Sequence, residues 1–509
     1  MSLTQRLGKG GRFSKVSTQG KKKSKDRKGG KMAGIVSFGA YIPYYRLPRS
    51  VIGQMWGQPG GRGEKAVAGS DEDPVTMSVA AGLDCLKGIQ TKTINALFMA
   101  TTCSPYRERQ CANIVANALD IPRASRNADF TNCLRAGTSA MLCALDAVKA
   151  GSLNKVLVTA ADMRLGGAAG GDEQAFGDGS AALLFGNEKV AVEVEGSHTF
   201  SDDLCDFWRD GDDKFIRHWE DRFGREEGYL KIPAEAVEAL LKKCNTAKGD
   251  IAKVCLYGAN ARVQATLGKK MGFKPEQLQN PLLDTVGDTG AALPLMILVA
   301  ALEEAKPGDR ILLVSYGNGS DAIMLRVTEE IKNLENRRGI KQHLNIKKTL
   351  NSYGRYLRWR DMISLAPAAR PPAGAASMSA QWREHETAIP LYGVKCKQCG
   401  TPQLYLSQSS TRAHICLQCQ ARDDFEPYRF ADKPGTVRSF SHDFLAGGID
   451  PPATAAVVDF DGGGRGQFLM VDREPDECQV GMRVEMTFRQ LRHTMGAHTY
   501  FWKCKPVRD

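Results

Sequence analysis

The sequence predicts a layered α/β core built from two similar halves, followed by a four-cysteine module and a small β-barrel. Three observations predict this architecture. Apolar, strand-like runs alternate with helix-like runs from Ala33 to about residue 330, which is the pattern of a layered α/β domain. One set of segments occurs twice at a constant spacing. After residue 380 come two Cys-x-x-Cys pairs and several short alternating strands, typical of a metal-bound module and a barrel.

Length and composition indicate a globular protein of several domains. The chain has 509 residues, 42% of them hydrophobic and 25% charged, which fits two or three folded domains. The longest apolar run, residues 291–302, contains Pro294 and is too short to span a bilayer. No secretory signal is visible. Because the other cysteines are scattered singly, we expect a cytoplasmic protein without disulfides or membrane segments.

The basic charge is concentrated at the N-terminus. Residues 1–32 contain eight Lys, three Arg and one Asp, so they account for most of the net charge of +12. This composition predicts a disordered basic tail. The alternative is a contact with nucleic acid or a membrane surface through residues 21–25.

The first half is predicted over residues 33–190 and the second over residues 191–330. In the first half, apolar runs and helical periodicity predict alternating strands and helices. In chain order these are a strand at 34–38, a helix at 74–88, a strand at 96–101, helices at 110–119 and 134–149, a strand at 155–161 and a hairpin at 177–185.

An internal repeat relates the two halves. The strand that begins at Lys155 has a counterpart that begins at Arg310, 155 residues later. The same spacing carries Cys133 onto Asp288 and Thr102 onto Tyr257. The following Gly-x-Gly-Ser turns, at 177 and 317, are 140 residues apart because the first half has a 15-residue insertion around residues 166–172. We therefore expect two copies of one α/β unit that face each other.

Cys133 is the candidate nucleophile. It precedes a predicted helix, whose dipole would favour the thiolate, and a thiolate can accept an acyl group. The repeat places Asp288 opposite Cys133, with Thr102 and Tyr257 on either side. Asn318 and Gly319 lie in a glycine-containing loop that should approach closely and supply an oxyanion-hole N–H for a thioester carbonyl, together with that of Cys133. The plainer interpretation is a buried core cysteine, since the chain has 14 cysteines.

Four motifs resemble the 3-hydroxy-3-methylglutaryl-CoA synthases of the thiolase superfamily. They are Ile-Pro-Tyr-Tyr at 42–45, Asn-Cys-x-x-Ala-Gly-Thr at 132–138, Asp-Phe-Trp-Arg at 206–209 and Ser-Tyr-Gly-x-Gly-Ser at 315–320. The resemblance implies a five-layered αβαβα core, a homodimer and CoA-thioester substrates. It also implies that Cys133 is the acyl-accepting residue.

Three departures from these synthases leave the reaction open. They have glutamate where this chain has Thr102, histidine where it has Tyr257, and asparagine where it has Asp288. Acid–base groups contribute about 10²–10⁴-fold to catalysis. One alternative is a related acyl-CoA condensation, cleavage or transfer in which Tyr257 and Asp288 assist Cys133. A second is retro-aldol cleavage with Tyr257 as acid or base, and a third is a non-catalytic subunit of a separate thiolase.

A bridge and a four-cysteine module follow the core. Residues 331–380 are predicted as a helical bridge, with helix over 329–360, that ends in a Pro/Ala-rich linker at 366–380. The two pairs are Cys396, Cys399, Cys416 and Cys419. Four thiolates at this spacing predict one tetrahedral structural Zn²⁺, although a redox-active dithiol is an alternative. We assign residues 381–430 to a zinc ribbon.

Residues 431–509 are predicted as an OB-type barrel, because short strands near 435, 455, 466 and 484 alternate with Gly/Pro turns. Ribbon and barrel together resemble OB-fold acyl-CoA-associated proteins with a rubredoxin-like zinc ribbon. Such proteins accompany thiolase-type partners, so the resemblance implies a possible thiolase subunit. Oligonucleotide binding is the alternative for an OB barrel.

Overall fold

In a computed structural model of the chain, the described residues are 32–258, 260–334, 337–366, 377–404, 414–445, 449–494 and 497–508. From Met32 onward the chain forms one compact unit. The predicted basic tail, apart from Met32, and most of the predicted Pro/Ala-rich linker lie outside the described residues.

Nine strands of the two halves form one mixed sheet among the described residues. The strands of the first half are β1 (Gly34–Tyr41), β4 (Ala96–Ala100), β5 (Arg126–Phe130), β6 (Val156–Asp162) and β7 (Gly179–Gly186). Those of the second half are β8 (Val192–Ser201), β11 (Lys253–Leu256), β12 (Arg310–Tyr316) and β13 (Gly319–Val327). Two further strands of the first half, β2 (Tyr45–Pro48) and β3 (Glu64–Val67), form a small separate sheet.

The sheet order reproduces the internal repeat. From one edge to the other it runs β5-β4-β6-β7-β1-β8-β13-β12-β11. The halves meet where Gly34 and Ile35 of β1 pair with Glu193 and Val192 of β8. Outward from that junction, β7, β6 and β4 occupy the same places as β13, β12 and β11. The duplication predicted from the sequence is therefore present in the topology.

Helices complete a five-layered core. Those of the first half are α1 (Arg49–Trp56), α2 (Pro74–Cys85), α3 (Cys111–Ala118), α4 (Ala136–Lys149) and α5 (Gly171–Ala175). Those of the second half are α6 (Asp221–Phe223), α7 (Ile232–Cys244), α8 (Ala261–Lys270) and α9 (Leu293–Leu302). Helices α4 and α9 pack on each other between the two halves of the sheet, whereas α2 and α7 cover the outer faces. Every residue of α9 is buried, which explains why it is apolar all round.

Two local predictions in the halves differ from the structure. The predicted hairpin at 177–185 is wrong, because this segment is the single strand β7, which pairs with β1 and β6. The predicted helix at 134–149 begins at Ala136, two residues late. Between β8 and α7 the chain forms a short hairpin, β9 (Phe207–Trp208) and β10 (Arg217–His218).

The bridge is helical only in part. After β13 it contains a 3-10 turn at Glu329–Asn333, α10 (Gly339–Asn345), β14 (Lys348–Thr349) and α11 (Tyr353–Trp359). The predicted continuous helix over 329–360 is therefore wrong. Its middle is extended because β14 adds in parallel to β2 at Tyr45 and Arg46.

The C-terminal part contains a small three-stranded sheet and a closed five-stranded barrel. Two short helices, α12 (Met378–Arg383) and α13 (His385–Ala388), precede them. The small sheet consists of β15 (Tyr392–Cys396), β16 (Pro402–Gln403) and β17 (Phe425–Arg429). The barrel consists of β18 (Gly435–Asp443), β19 (Ala453–Phe460), β20 (Arg465–Met470), β21 (Arg483–Thr494) and β22 (Ala497–Pro506). Residues 435, 455, 466 and 484 all lie in barrel strands, as predicted.

The barrel shares a hydrophobic core with the first half. One cluster joins Leu97 and Val115 of the first half to Phe430, Phe488 and Trp502 of the C-terminal part. In the part of the chain that is described, no helix is long and apolar enough to cross a membrane.

Candidate active site and metal centre

Cys133 lies in the turn between β5 and α4. Its carbonyl oxygen accepts a hydrogen bond from the N–H of Ala136, the first residue of α4. The thiol donates to the carbonyl oxygen of Gly317 at 3.2 Å, and the N–H of Arg135 donates to the Cys133 sulfur at 3.3 Å. Burial raises the pKa of the Cys133 thiol, against the opposing effect of the Arg135 N–H and guanidinium. Burial therefore acts against the favourable effect on the thiolate that the helix dipole predicts.

Arg135 fastens the start of α4 to the loop between β12 and β13. Its guanidinium donates to the carbonyl oxygens of Gly317 at 2.8 Å and Asn318 at 3.2 Å, and it forms an ion pair with Asp321 at 3.0 Å. Asp321 is buried and also accepts hydrogen bonds from Thr138 and Thr199. Sequence reasoning missed both Arg135 and Asp321. The available signal was their position: Arg135 lies within the motif that carries Cys133, and Asp321 directly follows the motif that carries Gly319.

The loop that carries Asn318 and Gly319 approaches the nucleophile closely, as predicted. Gly317 has a φ of 155°, and a Cβ there would lie 3.0 Å from the Leu134 side chain. A Cβ on Gly319, at a φ of 115°, would lie 2.1 Å from the carbonyl oxygen of Phe200. The Gly317 N–H, however, donates to Gly319, and its carbonyl faces the thiol. The predicted oxyanion donor is therefore not the N–H of Gly317.

Tyr257 and Asp288 form a buried pair with Arg164. One Asp288 carboxylate oxygen accepts from the Tyr257 hydroxyl at 3.1 Å and from Arg164 at 2.9 Å. Burial and the charge of Asp288 raise the pKa of Tyr257 well above its ordinary value. The phenol therefore stays protonated and donates a hydrogen bond to Asp288. The acidic group whose charge contributes to the raised pKa of Cys133 is Asp321.

Thr102 is bound to a second buried carboxylate. Its hydroxyl and its N–H donate to Asp162 at 2.9 and 2.6 Å. Asp162 also accepts from the N–H of Ala291, in the turn that follows Asp288. The carbonyl oxygen of Thr102 accepts from Arg209 at 2.7 Å. Thr102 thus belongs with the Tyr257–Asp288 pair.

The six residues predicted for the site fall into two groups. Cys133, Asn318 and Gly319 lie together, and Thr102, Tyr257 and Asp288 lie together. The helix starts that carry Cys133 and Asp288 do approach each other, because a Cβ on Gly137 would lie 2.5 Å from the carbonyl oxygen of Ala291. Within the described part of the chain, no hydrogen bond joins Cys133 to the second group.

The β9–β10 hairpin connects the two groups and explains the Asp-Phe-Trp-Arg motif. Asp206 accepts from the Tyr316 hydroxyl at 2.6 Å, one residue before Gly317. Arg209 reaches Thr102, and the Phe207 ring lies 5.9 Å from the Arg164 guanidinium. A pocket of about 650 Å³ opens beside this hairpin. It is lined by Leu204, Cys205, Asp206, Trp208, Trp219, Glu220, Phe223 and Gly224.

The four predicted metal ligands lie together. The sulfur atoms of Cys396, Cys399, Cys416 and Cys419 all lie within 4.8 Å of one another. The distance between Cys396 and Cys419 is 3.7 Å and that between Cys399 and Cys416 is 3.5 Å. Zinc–sulfur bonds of about 2.3 Å require sulfur atoms about 3.8 Å apart in a tetrahedron, so the cluster fits Zn²⁺. The His414 ring is bonded to Asp423 and is not needed as a ligand.

Two family models match parts of the chain. The model described as 3-oxoacyl-[acyl-carrier-protein] synthase III C terminal matches residues 241–327. The model described as ChsH2, C-terminal OB-fold domain, matches residues 428–489.

Curated relatives decide the family of the core. The chain is 30% identical over 342 residues to the hydroxymethylglutaryl-CoA synthase of Methanopyrus kandleri, covering 97% of it and 65% of this chain. It is 32% identical over 344 residues to that of Archaeoglobus fulgidus, covering 99% of it and 65% of this chain. The chain belongs to the hydroxymethylglutaryl-CoA synthase family. It is longer than these relatives of its family.

Solved structures share the fold of this hydroxymethylglutaryl-CoA synthase family member. "MvaS in complex with 3-hydroxy-3-methylglutaryl coenzyme A" matches with a TM-score of 0.59 and 18% identity, over 68% of this chain and 95% of that one. The 3-oxoacyl-[acyl-carrier-protein] synthase III of Aquifex aeolicus matches with a TM-score of 0.52 and 19% identity, over 58% and 99%. These structures confirm the predicted thiolase-type core. The match to the ChsH2 OB-fold model and the closed five-stranded barrel confirm the predicted OB-type barrel.

Proposed function

We propose that this chain is an acyl-CoA condensing enzyme in which Cys133 accepts an acyl group from a CoA thioester for carbon–carbon bond formation, cleavage or acyl transfer. The observation that carries the proposal is the position of Cys133, held between the Gly317 carbonyl and Arg135 where the two halves meet. Membership of the hydroxymethylglutaryl-CoA synthase family supports it.

In the acylation step, the Cys133 sulfur attacks the thioester carbonyl carbon and the CoA sulfur leaves. The Cys133 proton ends on the released CoA thiol, so charge and atoms balance. Arg135 assists, because its N–H and guanidinium favour the charged sulfur.

The test is intact mass after incubation with acetyl-CoA, acetoacetyl-CoA and longer acyl-CoAs. We expect a gain of one acyl group in the unmodified chain and none in Cys133→Ala. Cys143→Ala is the matched control, because Cys143 lies on α4 but is exposed. It should keep the adduct. No adduct with any of these thioesters would overturn the proposal.

A second candidate is a supporting subunit of a separate thiolase. Thr102 and Tyr257 stand where the resembling synthases have glutamate and histidine, and the C-terminal part matches an OB-fold domain. Copurification from the native host with turnover assays on the isolated chain distinguishes the two. Turnover by the isolated chain would exclude a purely supporting role. Retro-aldol cleavage with Tyr257 has less support, because that phenol is buried and bonded to Asp288.

We further propose a structural Zn²⁺ on the four cysteines and a homodimer of the core in the cytoplasm. The outer edge of β5 has no strand partner among the described residues, so it gives a dimer a place to form. Light scattering of the purified chain tests the dimer. The proposed domains remain 33–190, 191–330, 331–380, 381–430 and 431–509.

A further inference from the structure

His218 and Asp172 form a hydrogen-bonded pair beside the candidate active site. The Nε2 atom of His218 lies 2.7 Å from a carboxylate oxygen of Asp172. Because an ionised carboxylate only accepts hydrogen bonds, Nε2 carries the proton and Nδ1 presents its lone pair in the neutral ring. Asp172 lies in the insertion that breaks the internal repeat, a segment that no other function explains.

The hairpin that carries His218 contacts each group of candidate site residues. His218 on β10 pairs directly with Phe207 on β9. On either side of Phe207, Asp206 binds Tyr316 and Arg209 binds Thr102. Phe207 itself packs against Arg164, the partner of Asp288. The dyad is therefore attached to an element that contacts both groups.

The free nitrogen of this dyad is accessible. The side chain of His218 is 39% exposed, and the nearest ionic neighbour of its Nδ1 atom is Asp221 at 3.9 Å. The charged groups that face the ring are Asp172 on α5, Asp221 on α6, Arg164 after β6 and Asp206 before β9. The hydrogen bond to Asp172 raises the pKa of His218 above its ordinary value, against burial and the charge of Arg164.

Among the described residues, the acid and base groups around Thr102 already have polar partners. Tyr257 keeps its proton through Asp288. Asp288 forms an ion pair with Arg164 at 2.9 Å. Asp162 accepts hydrogen bonds from Thr101, Thr102 and Ala291. Thr102 has no basic group. A histidine oriented by a carboxylate is the usual arrangement of a general base.

We propose that His218, oriented by Asp172, is the general base that removes a proton from the carbon next to the thioester carbonyl. This inference rests on the proposed function. In the step, the α C–H bond breaks, the proton bonds to Nδ1 of His218, and the electron pair forms an enolate. The enolate then attacks the acyl carbonyl carbon on Cys133, so that a carbon–carbon bond forms, the carbon–sulfur bond breaks and the Cys133 sulfur leaves as the thiolate. In the exchange reaction the enolate instead takes a proton back from His218.

The experiment separates this proposal from the proposed function by measuring two events. Intact mass reports acylation of Cys133. Mass spectrometry of acetyl-CoA after incubation in D₂O reports exchange of the α-hydrogens. We expect Cys133 of His218→Gln to be acylated as in the unmodified chain. This variant should catalyse exchange of the acetyl-CoA α-hydrogens about 10²–10⁴-fold more slowly. Exchange of the acetyl-CoA α-hydrogens should also be slower with Asp172→Asn.

A rescue and a control test whether the effect is chemical rather than structural. Added imidazole should restore part of the exchange in His218→Gly, because the exposed position leaves room for it. His385→Gln, on the separate helix α13, should exchange at the unmodified rate.

Each outcome has one meaning. Normal exchange in His218→Gln, with acylation of Cys133 intact, overturns the His218 proposal and leaves the proposed function standing. Absence of acylation in the unmodified chain overturns the proposed function itself. Slow exchange in His218→Gln without any rescue of His218→Gly by imidazole would also count against a direct role as base.

Discussion

Single side chains determine how the nucleophile is held. Cys133 has no imidazole or carboxylate hydrogen-bonded to it among the described residues; its partners are a carbonyl oxygen and one backbone N–H. Arg135 supplies the nearby positive charge, and Asp321 fixes Arg135. This arrangement positions the sulfur, and Arg135 favours its charged form although burial keeps the pKa of the thiol above its ordinary value.

Removal of Arg135 should destabilise the chain. Arg135→Met leaves the buried Asp321 charge without its cation, which costs about 3–5 kcal/mol of unfolding free energy. Arg326→Met removes an exposed cation 3.5 Å from Glu195, which keeps its ion pair with Arg310. It should cost less than about 1 kcal/mol. Urea unfolding measures both. If Arg135→Met/Asp321→Asn is no more stable than Arg135→Met, the buried charge is not the cause.

The reactivity of Cys133 should depend steeply on pH. Because burial holds its pKa above the ordinary value of a thiol, about 8.5, the thiolate fraction should still be rising at pH 9. The rate of iodoacetamide alkylation at the Cys133 peptide, followed by mass spectrometry, should rise about tenfold per pH unit from pH 7 to 8.5. N-acetylcysteine is the reference thiol. A plateau below pH 8 for Cys133 would contradict the prediction.

At the scale of elements, two exposed cations of the barrel are each paired with a carboxylate of the same barrel. Arg465 lies on Asp459 and Arg483 on Asp461, and both pairs are exposed. Paired cations offer little to a phosphate backbone, whose binding depends on free positive charge. These two cations are therefore not free to bind an oligonucleotide, and the four cysteines remain the feature with a specific ligand.

The four-cysteine cluster should hold one metal ion per chain. Metal analysis of the purified chain should give about one Zn²⁺ per chain. Cys416→Ser should hold markedly less Zn²⁺, and Cys205→Ser, at an exposed cysteine outside the cluster, should keep it. Equal zinc in both variants would rule out the site. Chelation should also lower thermal stability, since metal binding contributes folding energy to such modules.

At the scale of the whole molecule, the barrel is joined to the core by buried polar contacts as well as apolar ones. Arg489 on β21 is 1% exposed and forms ion pairs with Glu72 at 2.8 Å and Asp472 at 2.6 Å. Tyr500 donates to Asp73, the residue that caps α2. The loop after Thr102 is also involved, because Tyr106 contacts the backbone of His498. The barrel is thus built onto the first half and is not a separate module on a tether.

These buried contacts between barrel and core predict a single unfolding transition. They also predict that the free energy of unfolding depends strongly on Arg489. Arg489→Met leaves two buried carboxylates without their cation and should lower the unfolding free energy by about 3–5 kcal/mol. Arg483→Met removes an exposed pair on the same strand and should cost less than about 1 kcal/mol. Denaturant unfolding followed by fluorescence measures both. Two separate transitions in the unmodified chain would show that barrel and core unfold independently.

The sequence by itself determined the repeat, the layered core, the barrel and the four-cysteine cluster. These follow from periodicity and spacing, which are local or recur along the chain. It also singled out Cys133 and the Gly317–Gly319 loop, because each lies in a motif that resembles the 3-hydroxy-3-methylglutaryl-CoA synthases.

Only the tertiary structure decided how these parts meet. Cys133 and its neighbour Arg135 contact Gly317 and Asp321, which lie about 180 residues further along the chain. The Thr102–Tyr257–Asp288 group depends on Arg164 and Asp162. The His218–Asp172 pair and the Arg489 network likewise join distant segments. Such contacts depend on burial and on charges brought together by folding. One sequence has no periodic pattern that encodes them.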